Sequence, residues 1–175
     1  MLIELRRGMT LHPGTFNAVI APEKVMVSAL NSNTDLQRFL FLYVSGNYSR
    51  LLSSISRASR NFEVRRAFTA QQLFTILKEA SHTVVFVEHD PALFDGAETM
   101  IPQVAGMLKE AGRESLVILY APSTDRSFSL LMREADHLIE IAPADNITGT
   151  PRYRSSRSSR NGGTLPCAQR TLEVS

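Results

Sequence analysis

Glu88, His89 and Asp90 stand in a row directly after the run Thr83-Val84-Val85-Phe86-Val87. An unbroken apolar and β-branched run suits a strand buried on both faces of a parallel sheet. In open α/β sheets, ligands bind at the carboxyl ends of such strands. Two carboxylates and an imidazole at that place suit metal binding or proton transfer, and so a metal-assisted hydrolase. Alternation along an extended chain puts Glu88 and Asp90 on one side and His89 on the other. A three-ligand metal site would therefore need His12 or His137 from elsewhere in the chain. The plainer reading is a central strand reaching solvent.

Other reactive side chains offer less. Ser45 and Ser49 lack the G-x-S-x-G turn that presents a nucleophilic serine. The single cysteine, Cys167, excludes an internal disulfide and a cysteine-based zinc site within one chain. It sits in polar sequence with no histidine nearby, as a surface thiol does.

The elements that must position Glu88 follow from the pattern on either side. Residues 1–14 read as a lead-in closed by Pro13-Gly14, followed by a strand from Thr15 to Ala21 and a short helix from Lys24 to Leu30. A second buried strand spans Phe39 to Val44. Tyr48, Leu51, Leu52 and Ile55 then fall at i, i+3, i+4 and i+7, the stripe of an amphipathic helix. An extended piece from Phe62 to Val64 precedes Arg65 and Arg66. Thr69-Ala70-Gln71-Gln72 has capping-box spacing at the head of a helix to about Ala80. Asp95-Gly96-Ala97-Glu98 repeats that spacing before a helix to about Gly112. Leu116 to Ala121 is a further strand. Phe128, Leu131, Met132 and Ala135 make a helical stripe, and His137 to Ile141 a last strand. Strands alternating with helices predict an α/β fold, a mostly parallel sheet with helices on both faces.

The 175 residues suit one α/β domain over 1–143 and a separate tail over 144–175. An apolar share of 43% against 21% charged residues is that of a soluble globular chain. No apolar run has the length of a membrane span, and the start lacks the order of a secretory signal. The expected setting is cytoplasmic. From Pro151 onward five arginines face one glutamate, so a tail of about +4 balances a body of about −2. Arg152, Arg154, Arg157 and Arg160 recur in Ser-rich sequence beside Tyr153, as in a flexible segment that contacts phosphates. Its alternative is a solvated tail, with Thr171 to Val174 returning as an edge strand.

Glu63 to Leu73, including Arg66-Ala67, resembles a segment of the RecA/RadA recombinase superfamily. Val84 to Phe94 is similar to that family's Walker B strand and its continuation. Leu116 to Ile141 is similar to the next strand, helix and strand of KaiC-like and RadA-like ATPases. The resemblance covers about residues 13–142 and implies a RecA-like core. Where a P-loop would place G-x-x-x-x-G-K-[ST] to cradle phosphate, the chain has Ala21-Pro22-Glu23-Lys24-Val25-Met26-Val27-Ser28. Glycine is missing, Glu23 repels phosphate, and Lys24 precedes Val25 instead of a magnesium-holding hydroxyl. Ser45-Gly46-Asn47 stands where a water-activating carboxylate belongs. Glu88 keeps an acid at the Walker B position, and His89 replaces a small hydroxyl residue.

The resemblance thus implies a degenerate nucleotide site made of Glu23, Lys24, Ser28, Glu88 and His89, with no catalytic residue, no metal site and no required cofactor. Weak residual binding of ATP and magnesium is left open. The function expected is a non-catalytic accessory or regulatory subunit, in DNA recombination or repair, that binds a RecA/RadA-like ATPase or itself. Single-stranded DNA would meet the tail arginines. The competing expectations are the hydrolase at Glu88, His89 and Asp90, and a scaffold or signalling domain that recognises protein alone.

Overall fold

The computed structural model describes residues 3–6, 9–33, 36, 38–56, 60–142 and 152–155. A hairpin of β1 (Ile3–Arg6) and β2 (Met9–Leu11) forms a separate two-stranded sheet, where the sequence suggests only a lead-in. The main chain then runs through β3 (Thr15–Ile20), α1 (Glu23–Ser32), β4 (Phe41–Ser45) and β5 (Phe62–Arg66). Next come α2 (Ala70–Glu79), β6 (Val84–Glu88), α3 (Ile101–Ala111) and β7 (Leu116–Ala121). α4 (Arg126–Leu131), β8 (His137–Glu140) and β9 (Arg152–Ser155) complete the described elements.

The main sheet has the order β5-β4-β6-β7-β3-β8-β9. Its first six strands are parallel, and β9 joins β8 antiparallel. This is the α/β architecture that alternating strands and helices predict. Every residue of β4, β6 and β7 is buried, which explains their unbroken apolar runs.

Alternate residues divide the core into two layers. Leu42, Val44, Val85, Val87, Val117 and Leu119 face α2, α3 and α4. Phe41, Tyr43, Phe86, Ile118 and Tyr120 face α1 and the segment around Leu51. On this second face aromatic rings stack from strand to strand. Phe41 and Phe62 lie 4.9 Å apart, Tyr43 and Phe86 5.1 Å, and Phe86 and Tyr120 5.9 Å. Cross-strand aromatic neighbours of this kind fix register as well as adding packing energy.

Two local expectations are corrected. The stripe Tyr48, Leu51, Leu52 and Ile55 is irregular chain. Leu51, Leu52 and Ile55 are still buried, but Tyr48 is 87% exposed. Asp95 does not cap a helix. Asp90 does so instead, accepting from the Ala92 N–H at 3.0 Å at the head of a 3₁₀ turn over Pro91–Phe94. α3 begins only at Ile101, with Pro102 in its first turn, where the missing N–H costs nothing. The described part of the tail, β9, returns as an edge strand beside β8. Thr171 to Val174 lie outside the described residues, as do Arg157 and Arg160.

Along the sheet, the chain leaves β4 toward β5 and leaves β6 toward β7, in opposite directions. Such a reversal opens a crevice at the carboxyl ends of the two strands. Ser45 and Glu88 end these strands.

α3 closes against β3 without room for a side chain at Gly112. A Cβ there would lie 2.9 Å from the Phe16 backbone nitrogen and 3.2 Å from the Thr15 carbonyl carbon. Alanine favours helix by about 1 kcal/mol over glycine, yet backbone on both sides cannot yield. Gly112→Ala is expected to lower stability by about 1–3 kcal/mol, read as a lower urea midpoint at unchanged slope.

Candidate functional site

Glu88 is 5% exposed at the carboxyl end of β6, and its charge is answered by donors from β4 and the segment that follows it. Oε2 accepts from the Tyr43 hydroxyl at 2.6 Å and the Ser49 hydroxyl at 2.5 Å. Oε1 accepts the Arg50 backbone N–H at 2.8 Å. Ser49 Oγ in turn accepts the Leu52 N–H at 3.0 Å. A buried carboxylate is tolerable only when hydrogen-bonded in this way. Neither Tyr43 nor Arg50 stands out in the sequence, and Ser49 does so only as a serine without a nucleophile's turn. Burial and the neighbouring Glu88 push the Tyr43 phenol far above its usual range, so it remains a donor. The clamp draws residues 49–52 across the strand ends and into the crevice.

The crevice is tight elsewhere as well. A Cβ on Gly46 would lie 2.1 Å from Asp90 Oδ2, so glycine is required where β4 passes Asp90. Ser45 is buried beside Glu88, and its hydroxyl has no partner among the described residues.

Glu23, Lys24 and Ser28 lie on α1. The link between β3 and α1 is Ala21-Pro22 alone. The Ala21 carbonyl accepts the Tyr120 hydroxyl at 3.1 Å, and the Ala21 N–H meets the Ala121 carbonyl at 3.3 Å. Glu23 pairs with the Arg50 guanidinium at 3.4 Å. Arg50 thus touches both acids of the expected site, Glu88 through its backbone and Glu23 through its side chain. Lys24 and Ser28 are exposed.

His89 turns to the other layer. Its side chain is 3% exposed, and its ring stacks on Phe94 at 6.2 Å and meets Phe128 edge-on at 5.3 Å. Nε2 lies 2.7 Å from Asp125 Oδ2 and 3.3 Å from Ser127 Oγ. Asp125 caps α4 through the Phe128 N–H at 2.8 Å and accepts the Ser127 hydroxyl at 2.7 Å. Serine and aspartate meet the same imidazole nitrogen, so the ring cannot relay a proton between them as a hydrolase triad does. Burial lowers the His89 pKa despite the attraction of Asp125 and Asp90. The neutral ring therefore donates to an ionised Asp125. Burial alone would raise the Asp125 carboxyl, but its bonds to the Phe128 N–H, Ser127 and His89 together hold it below its usual value.

Glu88, His89 and Asp90 thus have three separate sets of partners. Among the described residues no group of three or more His, Cys, Asp and Glu side chains is placed to hold a metal. His12 precedes β3, and His137 opens β8 opposite Asn17. Both are at the amino end of the sheet, away from Glu88. Arg152 and Arg154 fall in β9, on the edge beyond β8. The sequence signals for the missed residues were local and brief. Asp125-Arg126-Ser127-Phe128 has the form of a helix cap, whereas nothing near Tyr43 or Ser49 announces Glu88.

Replacing the clamped charge tests the first cluster. Glu88→Gln places an amide NH₂ among three donors, and a loss of about 1.5–3 kcal/mol in urea denaturation is expected. The second cluster sets a pH dependence. An unfolded histidine takes up its proton near pH 6.5, whereas folded His89 does so only at lower pH. Between those values the unfolded chain binds more protons, so stability falls as pH drops from about 6.5 through the folded value. His89→Gln should flatten this slope. The further loss below the ordinary carboxylate range, where Asp125 protonates, should remain.

Comparison with known proteins supplies the last observations. No family model matches the chain. An uncharacterized protein of Archaeoglobus fulgidus is 39% identical over 129 residues, 73% of this chain and 65% of that protein. The match therefore spans just under two thirds of the relative's length. Among solved structures, the flagellar accessory protein FlaH of Methanocaldococcus jannaschii superposes with a TM-score of 0.54 at 13% identity, over 79% of each chain. A KaiC-like protein of Pyrococcus horikoshii gives a TM-score of 0.48 at 12% identity, over 88% of this chain and 85% of its own. No helix among the described residues is long and apolar enough to cross a membrane. With six parallel strands covered by helices and the match to FlaH, the chain has the RecA-like α/β fold.

Proposed function

We propose that this chain is a non-catalytic RecA-like protein, an accessory or regulatory subunit that acts by binding a partner ATPase, DNA or both. The observation that carries the reading is the filled rim between β3, β4 and β6. ATP hydrolysis depends on a backbone cradle for phosphate, a lysine, a held magnesium ion and an oriented water. Here two residues join strand to helix, and Tyr120 occupies the Ala21 carbonyl. The acid at the Walker B position gives both its oxygens to protein donors. A magnesium ion approaching Glu88 would have to displace Tyr43, Ser49 or the Arg50 amide. Glu23 adds negative charge where a polyphosphate would lie.

DNA recombination or repair is the setting this reading favours, from the family resemblance and the basic segment of Arg152, Arg154, Arg157 and Arg160. Those arginines would contact single-stranded DNA through phosphate.

Purified chain with ATP and magnesium is expected to show no turnover above buffer, and calorimetry no binding heat at micromolar concentration. Turnover abolished by Glu88→Gln or Lys24→Ala would overturn the non-catalytic reading. For the nucleic-acid part, binding to a single-stranded oligonucleotide should weaken steeply with salt as counterions are released. It should also drop in a variant with Arg152, Arg154, Arg157 and Arg160 replaced by serine. Failure to bind even at low salt removes DNA from the proposal.

A further inference from the structure

A cavity of about 200 Å³ opens beside the His89 cluster, between the turn that follows β6 and the starts of α3 and α4. Its apolar wall is made by Phe94 and Ile101, both buried, with half-buried Leu130. The Phe94 ring is held in place by its stacking on His89 at 6.2 Å. Asp125 and Ser127 also face the cavity, but their polar atoms are engaged by His89, by the Phe128 N–H and by each other.

Three further side chains at the cavity are charged and unanswered. Asp95 and Glu98 come from the segment before α3, and Arg126 opens α4. All three are exposed, and among the described residues none of them makes a salt bridge or a side-chain hydrogen bond. Carboxylates and a guanidinium thus line one cavity without closing on each other, beside an apolar wall. A simple cation placed there would meet Arg126. A simple anion would meet Asp95, Glu98 and Asp125. A ligand that carries both charges answers the two sides together.

We infer that this cavity binds a free α-amino acid with an apolar side chain, its ammonium group on Asp95 and Glu98, its carboxylate on Arg126, and its side chain against Phe94, Ile101 and Leu130. An ammonium group brings three donors to the two carboxylates, and a guanidinium offers a carboxylate a two-pronged bond. The side chain gains by leaving water for the apolar wall. An apolar pocket with a few converging polar groups is the usual form of a small-molecule site. A nucleotide fits poorly, since its phosphates would face three carboxylates and one guanidinium. The cavity shares no residue with the cluster around Glu88 or with the tail arginines, so the inference goes beyond the binding of a partner or of DNA and does not rest on it.

The probes are L-leucine, isopentylamine, which lacks the carboxylate, and isocaproate, which lacks the ammonium group. Each is titrated into the full chain and followed by NMR chemical shifts, which read weak as well as tight binding. Leucine is expected to shift the amides of Asp95, Glu98 and Arg126. It should bind about tenfold or more tighter than either analogue, the effect of one lost charge-assisted bond. Arg126→Gln should weaken leucine by a similar factor without weakening isopentylamine. Asp95→Asn combined with Glu98→Gln should weaken leucine without weakening isocaproate. Because these side chains are exposed and unpaired, the melting temperature of both variants should stay within the range of ordinary surface substitutions. Absence of shifts at these amides with leucine in large excess, isopentylamine binding as tightly as leucine, or leucine binding indifferent to Arg126→Gln would each overturn the proposal.

Discussion

A single buried carboxylate organises the carboxyl rim of this sheet. Glu88 ends a central strand at a point where an unpaired charge would be prohibitively costly. Tyr43 from the neighbouring strand and Ser49 with Arg50 from the following segment supply its donors. Because Ser49 and Arg50 belong to the chain between β4 and β5, satisfying the charge also decides where that chain runs. Leu51, Leu52 and Ile55 are carried into the α1-side core with it. Charge and packing are thus one constraint: the segment buries its apolar residues only where its polar ones can reach Glu88.

The next residue does the same work in the opposite layer. His89 is a neutral donor between Phe94 and Phe128, and its bond to Asp125 fixes the start of α4 against the end of β6. Asp90, one step further, caps the turn that leads toward α3. Three consecutive polar residues therefore anchor three different segments. Strand alternation separates Glu88 from His89, and the chain turns at Asp90 before a shared site can form. Residue types that suggest chemistry in sequence here hold loops against a sheet.

What the sequence made legible follows from whether the deciding partner was near or far along the chain. β7 runs from Leu116 to Ala121, where its unbroken apolar run predicts it. The cap at Thr69 accepts the Gln72 N–H at 3.2 Å, although the Gln72 side chain reaches the Phe68 N–H instead of the cap's own. These signals involve neighbours within four residues. The segment at Tyr48 to Ile55 was misread because its apolar spacing fits a helix, while its path is set by Glu88, 38 and 39 residues away. Asp95 and Asp90 both precede sequences that suit a cap. Pro91 decides for Asp90, since proline favours the first position of a helical turn. The strand at Arg152–Ser155 was hidden by composition. Its pairing depends on the open edge of β8 more than on apolar content.

A RecA-like sheet ordinarily offers its carboxyl rim to a ligand, because that is where strand ends, helix starts and loops converge. In this chain that rim is occupied by its own groups: Tyr120 on the Ala21 carbonyl, the 49–52 segment on Glu88, and Asp125 on His89. Along β5, at the side of the sheet, the backbone groups of Phe62, Val64 and Arg66 pair with no other strand among the described residues. Exposed edges are usually blunted by charge and short length, and β5, with Glu63, Arg65 and Arg66 in five residues, carries both devices. Charge on an edge discourages self-pairing of like strands.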